Sequence, residues 1–410
     1  MTADRATFIP DILEEHLEEL AFLWGQRQRA LRDPDYTLRS FSDLEERIQA
    51  HLQGVLVVGD QSLPLLEEGL SSDDELVVFA SALSLLHSRV PSSAAHVFDA
   101  FRNAQGNKLV GLRQALSHGP IDHLQAQIGP LPLSSALPVA VAAAEALAFH
   151  SALRATAPEI ERFVANEEPE VRMNGWRLAG YLGLALDPKT YAAAVRDEGR
   201  SVRRAALEAG AWCGEPGILA VGRKLAESPA VDDLDPLWLL AVLGGPDDLG
   251  RMTAIARARE LGPARFRLVG AYGHPALMDD LLEVLTDPDP ATAYVAAVAF
   301  SKITGYDIES DSRATLLPED GTEPDEFDAE FLDEVMLPDP ERAHAHWDSV
   351  KGGLGGAQRI CRGFDLRGGL DRDQFASLDM ESRWEVCLRA RYCGAWNGSP
   401  LSLEVFPQRR

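Results

Sequence analysis

The sequence predicts an all-α fold: an α-solenoid of helical hairpins with an N-terminal helical cap, and a C-terminal acidic loop followed by a last repeat. Three observations predict it. A motif recurs with a period near 31 residues, in residues 168–183 (EPEVRMNGWRLAGYLG), 199–214 (GRSVRRAALEAGAWCG), 231–245 (VDDLDPLWLLAVLGG) and 380–394 (MESRWEVCLRARYCG). Each copy has apolar residues at i, i+3, i+4 and i+7, the stripe of a core-facing helix. Each closes on glycine: Gly183, Gly214 and Gly245 are 31 apart, and Arg172, Arg203 and Arg383 precede Gly183, Gly214 and Gly394 by eleven positions.

The chain opens on two amphipathic helices, over residues 10–32 and 42–53. They suit a cap, because a stack of hairpins must cover its first apolar face. Residues 73–88 and 137–151 continue as hairpin helices. Within the clear repeats, polar or proline-bearing turns precede the helices. In DPDP, Asp289 can cap the next helix and Pro290 fits its first turn. The closing glycines fit left-handed C-caps, and weaker copies end at Gly273 and Gly305. One hairpin cannot bury its own apolar face, whereas a stack can; the period predicts roughly eight hairpins. Trp176, Trp212, Trp238 and Trp384 fall inside repeat helices and are expected in the hairpin core.

The pattern breaks from Thr315 to Glu341, where 27 residues hold eleven acids and no Lys or Arg. A solvated loop is expected there, with Glu319, Asp320, Asp325, Glu326, Asp328, Glu330, Asp333 and Glu334 as its partner-binding carboxylates. An EF-hand is excluded: from Asp307, Ser312 stands in the glycine slot and Pro318 in the glutamate slot. The expected organisation is a cap (1–58), a repeat array (59–306), the acidic loop (307–341) and a C-terminal helical segment (342–410). The tail AWNGSPLSLEVFPQRR is expected to lie extended over the last hairpin.

Composition narrows the function. The chain has 410 residues, longer than a single core usually supports, and 39 Lys+Arg against 64 Asp+Glu give a net charge of −25. Nucleic-acid binding needs clustered positive charge, so it is excluded, while a basic protein partner suits the chain. No secretory leader opens the sequence and no run of about 18 apolar residues occurs, so a cytoplasmic protein without membrane insertion is expected. Cys213, Cys361, Cys387 and Cys393 are too few for a disulfide scaffold. No His-Glu-x-x-His, Gly-x-Ser-x-Gly or Walker loop is present. His118 and His123 flank a Gly-Pro turn that could bring them together; His344 and His346 are two apart and on different helix faces. No catalytic, cofactor or metal residues are assigned.

The recurrent Val-Arg near the start of a helix resembles HEAT-type repeats. In those repeats the arginine pairs with acidic groups of the adjacent hairpin, which implies a register ladder for Arg172, Arg203 and Arg383. The whole chain resembles a bacterial family of HEAT-like repeat proteins. The resemblance rests on ILEEHLEELAFLWGQRQRAL followed by LEERIQAHLQGVLVVGD, and on ITGYD, an acidic run, LPDPERAHAHW, a glycine-flanked AQR and a final Arg-bearing repeat. Members are often encoded beside type VI secretion genes. The resemblance implies a non-enzymatic adaptor or chaperone for a secretion effector or spike component. The alternatives are an immunity protein that occludes a toxin and a HEAT-scaffold lyase or hydroxylase. The iron-binding HEAT-like hydroxylases carry His-Glu dipeptides, and this sequence has none.

Overall fold

The computed structural model describes residues 10–90, 92–133, 136–316, 332–354 and 356–407. It is mainly helical, with two short two-stranded sheets among the described residues. Contacts divide the chain into two compact units: residues 1–215, 379–384 and 394–410 form the first, and residues 216–378 and 385–393 the second.

The first unit begins with α1 (Pro10–Ala30) and α2 (Leu38–Val57), which pack on each other. Thr37 caps α2 through a box closed by Ser40, in place of the usual glutamate. Four helices then follow one another in contact from Glu75–His87: Gly106–His118, Leu137–Phe149, Pro169–Leu182 and Arg200–Cys213. Shorter helices fill the intervals, as the period predicts. At the centre, Trp24 is fully buried and stacks on Phe79 with ring centroids 3.9 Å apart, while its Nε1 donates to Gln114 at 2.6 Å. Removing such a side chain costs about 3–5 kcal/mol.

In the second unit, Leu234–Leu243, Ala264–Tyr272 and Pro290–Thr304 form the corresponding sequence of packed helices. Asp289 accepts from the backbone N–H groups of Ala291 and Thr292, and Pro290 occupies the first turn.

The closing glycines do not behave alike. Gly183, Gly214, Gly273, Gly305 and Gly394 all have φ between 61° and 73°. Gly245 does not: its φ is −96°. The helix before it ends at Leu243, Gly244 leaves it in an extended conformation, and the Gly245 N–H donates to Asp248 Oδ2 at 3.0 Å. The 31-residue spacing is kept there by a turn of a different kind.

The acidic segment also departs from the expected loop. It begins as β1 (Glu309–Thr315) and ends as β2 (Glu334–Pro338), an antiparallel ribbon with Arg313 opposite Met336 and Thr315 opposite Glu334. The tail is not laid simply along the last hairpin. Arg27 Nη2 donates to the Glu404 carbonyl at 2.9 Å, Gln49 Nε2 donates to the Pro407 carbonyl at 2.6 Å, and the Phe406 N–H donates to His118 Nδ1 at 3.3 Å. It closes over the N-terminal helices, because Phe406 completes the aromatic cluster around Trp24.

Candidate functional site

The ribbon is held at its base by residues that the sequence places far apart. Ile308 is buried, and its carbonyl accepts from the Asp339 N–H at 2.7 Å. Arg342, in the helix Pro340–Val350, donates to the carbonyls of Asp307 and Glu309 at 2.8 and 3.0 Å. Its guanidinium lies over Tyr306, and Tyr306 stacks on His346 with centroids 3.9 Å apart and an interplanar angle of 3°. The ITGYD and LPDPERAHAHW segments thus build one stem.

From that stem, Glu309, Asp311, Asp333 and Glu334 are exposed. Arg313 approaches Glu334 at 3.4 Å, and this exposed pair adds little stability. β1 and β2 pair with each other and with no further strand among the described residues. Of the predicted partner-binding residues, Asp333 and Glu334 lie on or beside β2. Glu319, Asp320, Asp325, Glu326, Asp328 and Glu330 lie outside the described residues.

A cleft of about 210 Å³ lies within the first unit. Arg32 enters it between Glu208, at 2.7 Å, and the face of Trp384, at 3.9 Å from the ring centroid. Burial would raise the Glu208 pKa, but Arg32 and Arg204 outweigh it and hold the carboxyl below the usual range. On the other wall Arg177 donates to the Tyr181 hydroxyl at 2.8 Å, which donates to Glu404 Oε2 at 2.8 Å. Burial pushes the Tyr181 pKa well up, so the hydroxyl keeps its proton. Arg177 also approaches Glu145 at 3.7 Å, and Glu145 in turn accepts from Arg113 at 2.8 Å, which donates to Asn174 at 2.9 Å; Arg113, Glu145 and Asn174 are buried. Each guanidinium of the cleft already faces a carboxylate, and the lining includes no Ser, Cys or His. This arrangement ties neighbouring helices together through paired charges. Sequence reasoning missed it because Arg32, Arg177, Glu208 and Glu404 share no local pattern.

The repeat arginines have distinct partners. Arg172 gives Nε and Nη2 to Asp197 and Nη1 to the carbonyls of Asn166 and Glu167. Arg203 gives Nη1 to the carbonyls of Asp197 and Glu198, the same positions one repeat later. The Arg383 N–H continues its helix to the Asp379 carbonyl. Trp176, Trp212 and Trp384 are buried, whereas Trp238 is half-buried and donates to Glu385 at 2.9 Å.

The AQR motif has a local role. Arg359 is buried and donates to the carbonyls of Ala241, Gly244 and Ala271 at 2.8, 2.9 and 3.0 Å, closing two helix C-termini. Burial pushes its pKa down to about 9.

His118 is buried and His123 exposed, so the turn between them does not bring the two rings together. Among the described residues, no group of three or more His, Cys, Asp or Glu is placed to hold a metal. The four cysteines, Cys213, Cys361, Cys387 and Cys393, form no disulfide with one another. No described helix is long and apolar enough to cross a membrane.

No model of a known protein family matches the chain. A search of curated proteins gives no match either.

Proposed function

We propose that this chain is a protein-binding scaffold, an adaptor or chaperone acting in the cytoplasm on a basic partner. A type VI secretion effector or spike component is the partner class that the sequence resemblance implies. In this reading the helices are hairpins of the α-solenoid kind with α1 and α2 as a cap, and the acidic ribbon is the element that meets the partner. The observation that supports it is the ribbon: its described carboxylates are exposed, Arg313 is the one cation on its strands, and it brackets the most acidic run of a chain with net charge −25. A field of one sign speeds capture of an oppositely charged partner.

The test is direct. The purified chain is mixed at low salt with each effector encoded beside its gene. Retention of one effector supports the reading, and retention of none overturns it. Co-expression then separates roles: an effector that stays soluble and toxic marks a chaperone, and one that loses toxicity marks an immunity protein.

A further inference from the structure

α1 and α2 bring two imidazoles edge to face on the first unit, Nδ1 toward Nδ1. His16 Nδ1 and His51 Nδ1 are 3.2 Å apart, with ring centroids 5.2 Å apart and planes at 74°. Both residues are half-buried, so the pair is reachable from solvent. Gly54 makes this approach possible: a Cβ there would stand 2.6 Å from His16 Nε2 and Cδ2. Glu15 and Glu19 act on His51 as nearby negative charges, opposed by Arg47.

Tetrahedral zinc with Zn–N bonds of about 2.0–2.1 Å holds two ligand nitrogens roughly 3.3–3.4 Å apart. The observed separation is within about 0.2 Å of that requirement. Two helices fix the pair, so little ordering is left to be done on binding. The geometry points to a bis-imidazole site for a first-row divalent cation of the zinc, nickel or copper class, ligated by Nδ1 of His16 and Nδ1 of His51.

In the metal-free pair one Nδ1 carries the shared proton. Metal binding moves that proton to Nε2 of the same ring, with no net release, and leaves both Nδ1 lone pairs on the cation. Water completes the coordination. With two protein ligands the site is open and exchangeable, unlike a closed four-ligand structural site. Imidazole favours these cations over magnesium, and copper binds most tightly in the series.

The test uses the full chain freed of any histidine tag. Calorimetric titration with Zn²⁺ or Ni²⁺ is expected to show one ion per chain, and Mg²⁺ none. His16 and His51 are each replaced by Gln and by Ala, and variants that keep the wild-type melting curve are titrated. Each is expected to bind at least tenfold more weakly, while the exposed control His123→Gln binds as the wild type does. A second readout needs no variant: the electron paramagnetic resonance of one bound Cu²⁺ should show two equatorial imidazole nitrogens. Absence of binding at millimolar metal, equal binding in His16 and His51 variants, or a single-nitrogen Cu²⁺ spectrum would mean that the pair is an ordinary hydrogen bond.

Discussion

Asp197 receives both Nε and Nη2 of Arg172, at 2.8 and 2.9 Å, from the preceding repeat. The carboxylate pairs in a two-pronged geometry that a lysine cannot reproduce. Arg203 stands one period later, and 31 residues beyond Asp197 the sequence has Ser228. Its Nη1 bonds are to carbonyls.

The two arginines should therefore differ in weight. Arg172→Ala breaks a half-buried charge pair together with two carbonyl bonds, and is expected to cost roughly 2 kcal/mol; Arg203→Ala is expected to cost roughly 1 kcal/mol. Denaturant midpoints measure both. Equal losses would show that the Asp197 pair adds nothing beyond the carbonyl bonds. Hydrogen bonds from Arg172 hold the Asp197 pKa down. Arg172→Ala should thus also remove stability that the wild type loses as pH falls through the depressed value.

His118 gives the chain a second pH dependence. Burial, with Arg27 nearby, holds its pKa well below 6.5, and its Nδ1 accepts from the Phe406 N–H. The unfolded chain takes up this proton first, so stability is full above about pH 6.5 and declines as pH falls toward the folded value. His118→Gln should flatten the melting temperature between pH 6.5 and 5, at some cost in stability at pH 7. A wild-type melting temperature that stays constant across that window would remove the buried neutral imidazole from the account.

The acidic ribbon predicts a salt effect. Exposed charges are screened within about 8–10 Å at physiological ionic strength. Partner capture should weaken at least tenfold between low salt and 0.5 M salt. The quadruple variant Glu309→Gln, Asp311→Asn, Asp333→Asn, Glu334→Gln should bind more weakly at low salt and show a shallower salt slope. Surface plasmon resonance with the effector retained in the first test reads both. Flat affinity across salt would sink the electrostatic role while leaving an apolar interface open to mapping.

How far the sequence was legible depends on how local each cause is. The helical periodicity, the cap at Asp289 and most of the left-handed glycines are local, and the repeat helices stand where the periodicity places them. Gly245 misleads because Asp248, three residues on, captures its N–H and makes another turn. The ribbon strands hide because ESDSRAT is polar on both faces and lacks a β-branched run, while its base is pinned by Asp339 and Arg342, some thirty residues along the chain. The cleft and the tail contacts join residues hundreds of positions apart. Their signal was restricted to isolated features, such as the charged Arg27 and Arg32 at the end of an otherwise amphipathic helix.

Two repeat glycines with the same backbone test whether conformation or crowding dominates at these caps. Gly214 and Gly273 have φ of 73° and 63°. A Cβ at Gly214 would meet nothing within 4 Å, so Gly214→Ala is expected to cost only the left-handed penalty of about 1–2 kcal/mol. At Gly273 the Ile360 carbonyl lies where a Cβ would stand, and the Ile360 N–H donates to the Gly273 carbonyl at 2.7 Å. Gly273→Ala must push away the segment that carries Arg359 and loosen its bonds to Ala241, Gly244 and Ala271. The expected cost is about 3 kcal/mol or more, adding an unmet backbone bond to the same left-handed strain. Chemical denaturation of the two variants side by side measures the difference. Equal costs would mean that the crossing segment yields freely, and that the glycine at this cap answers to backbone conformation only.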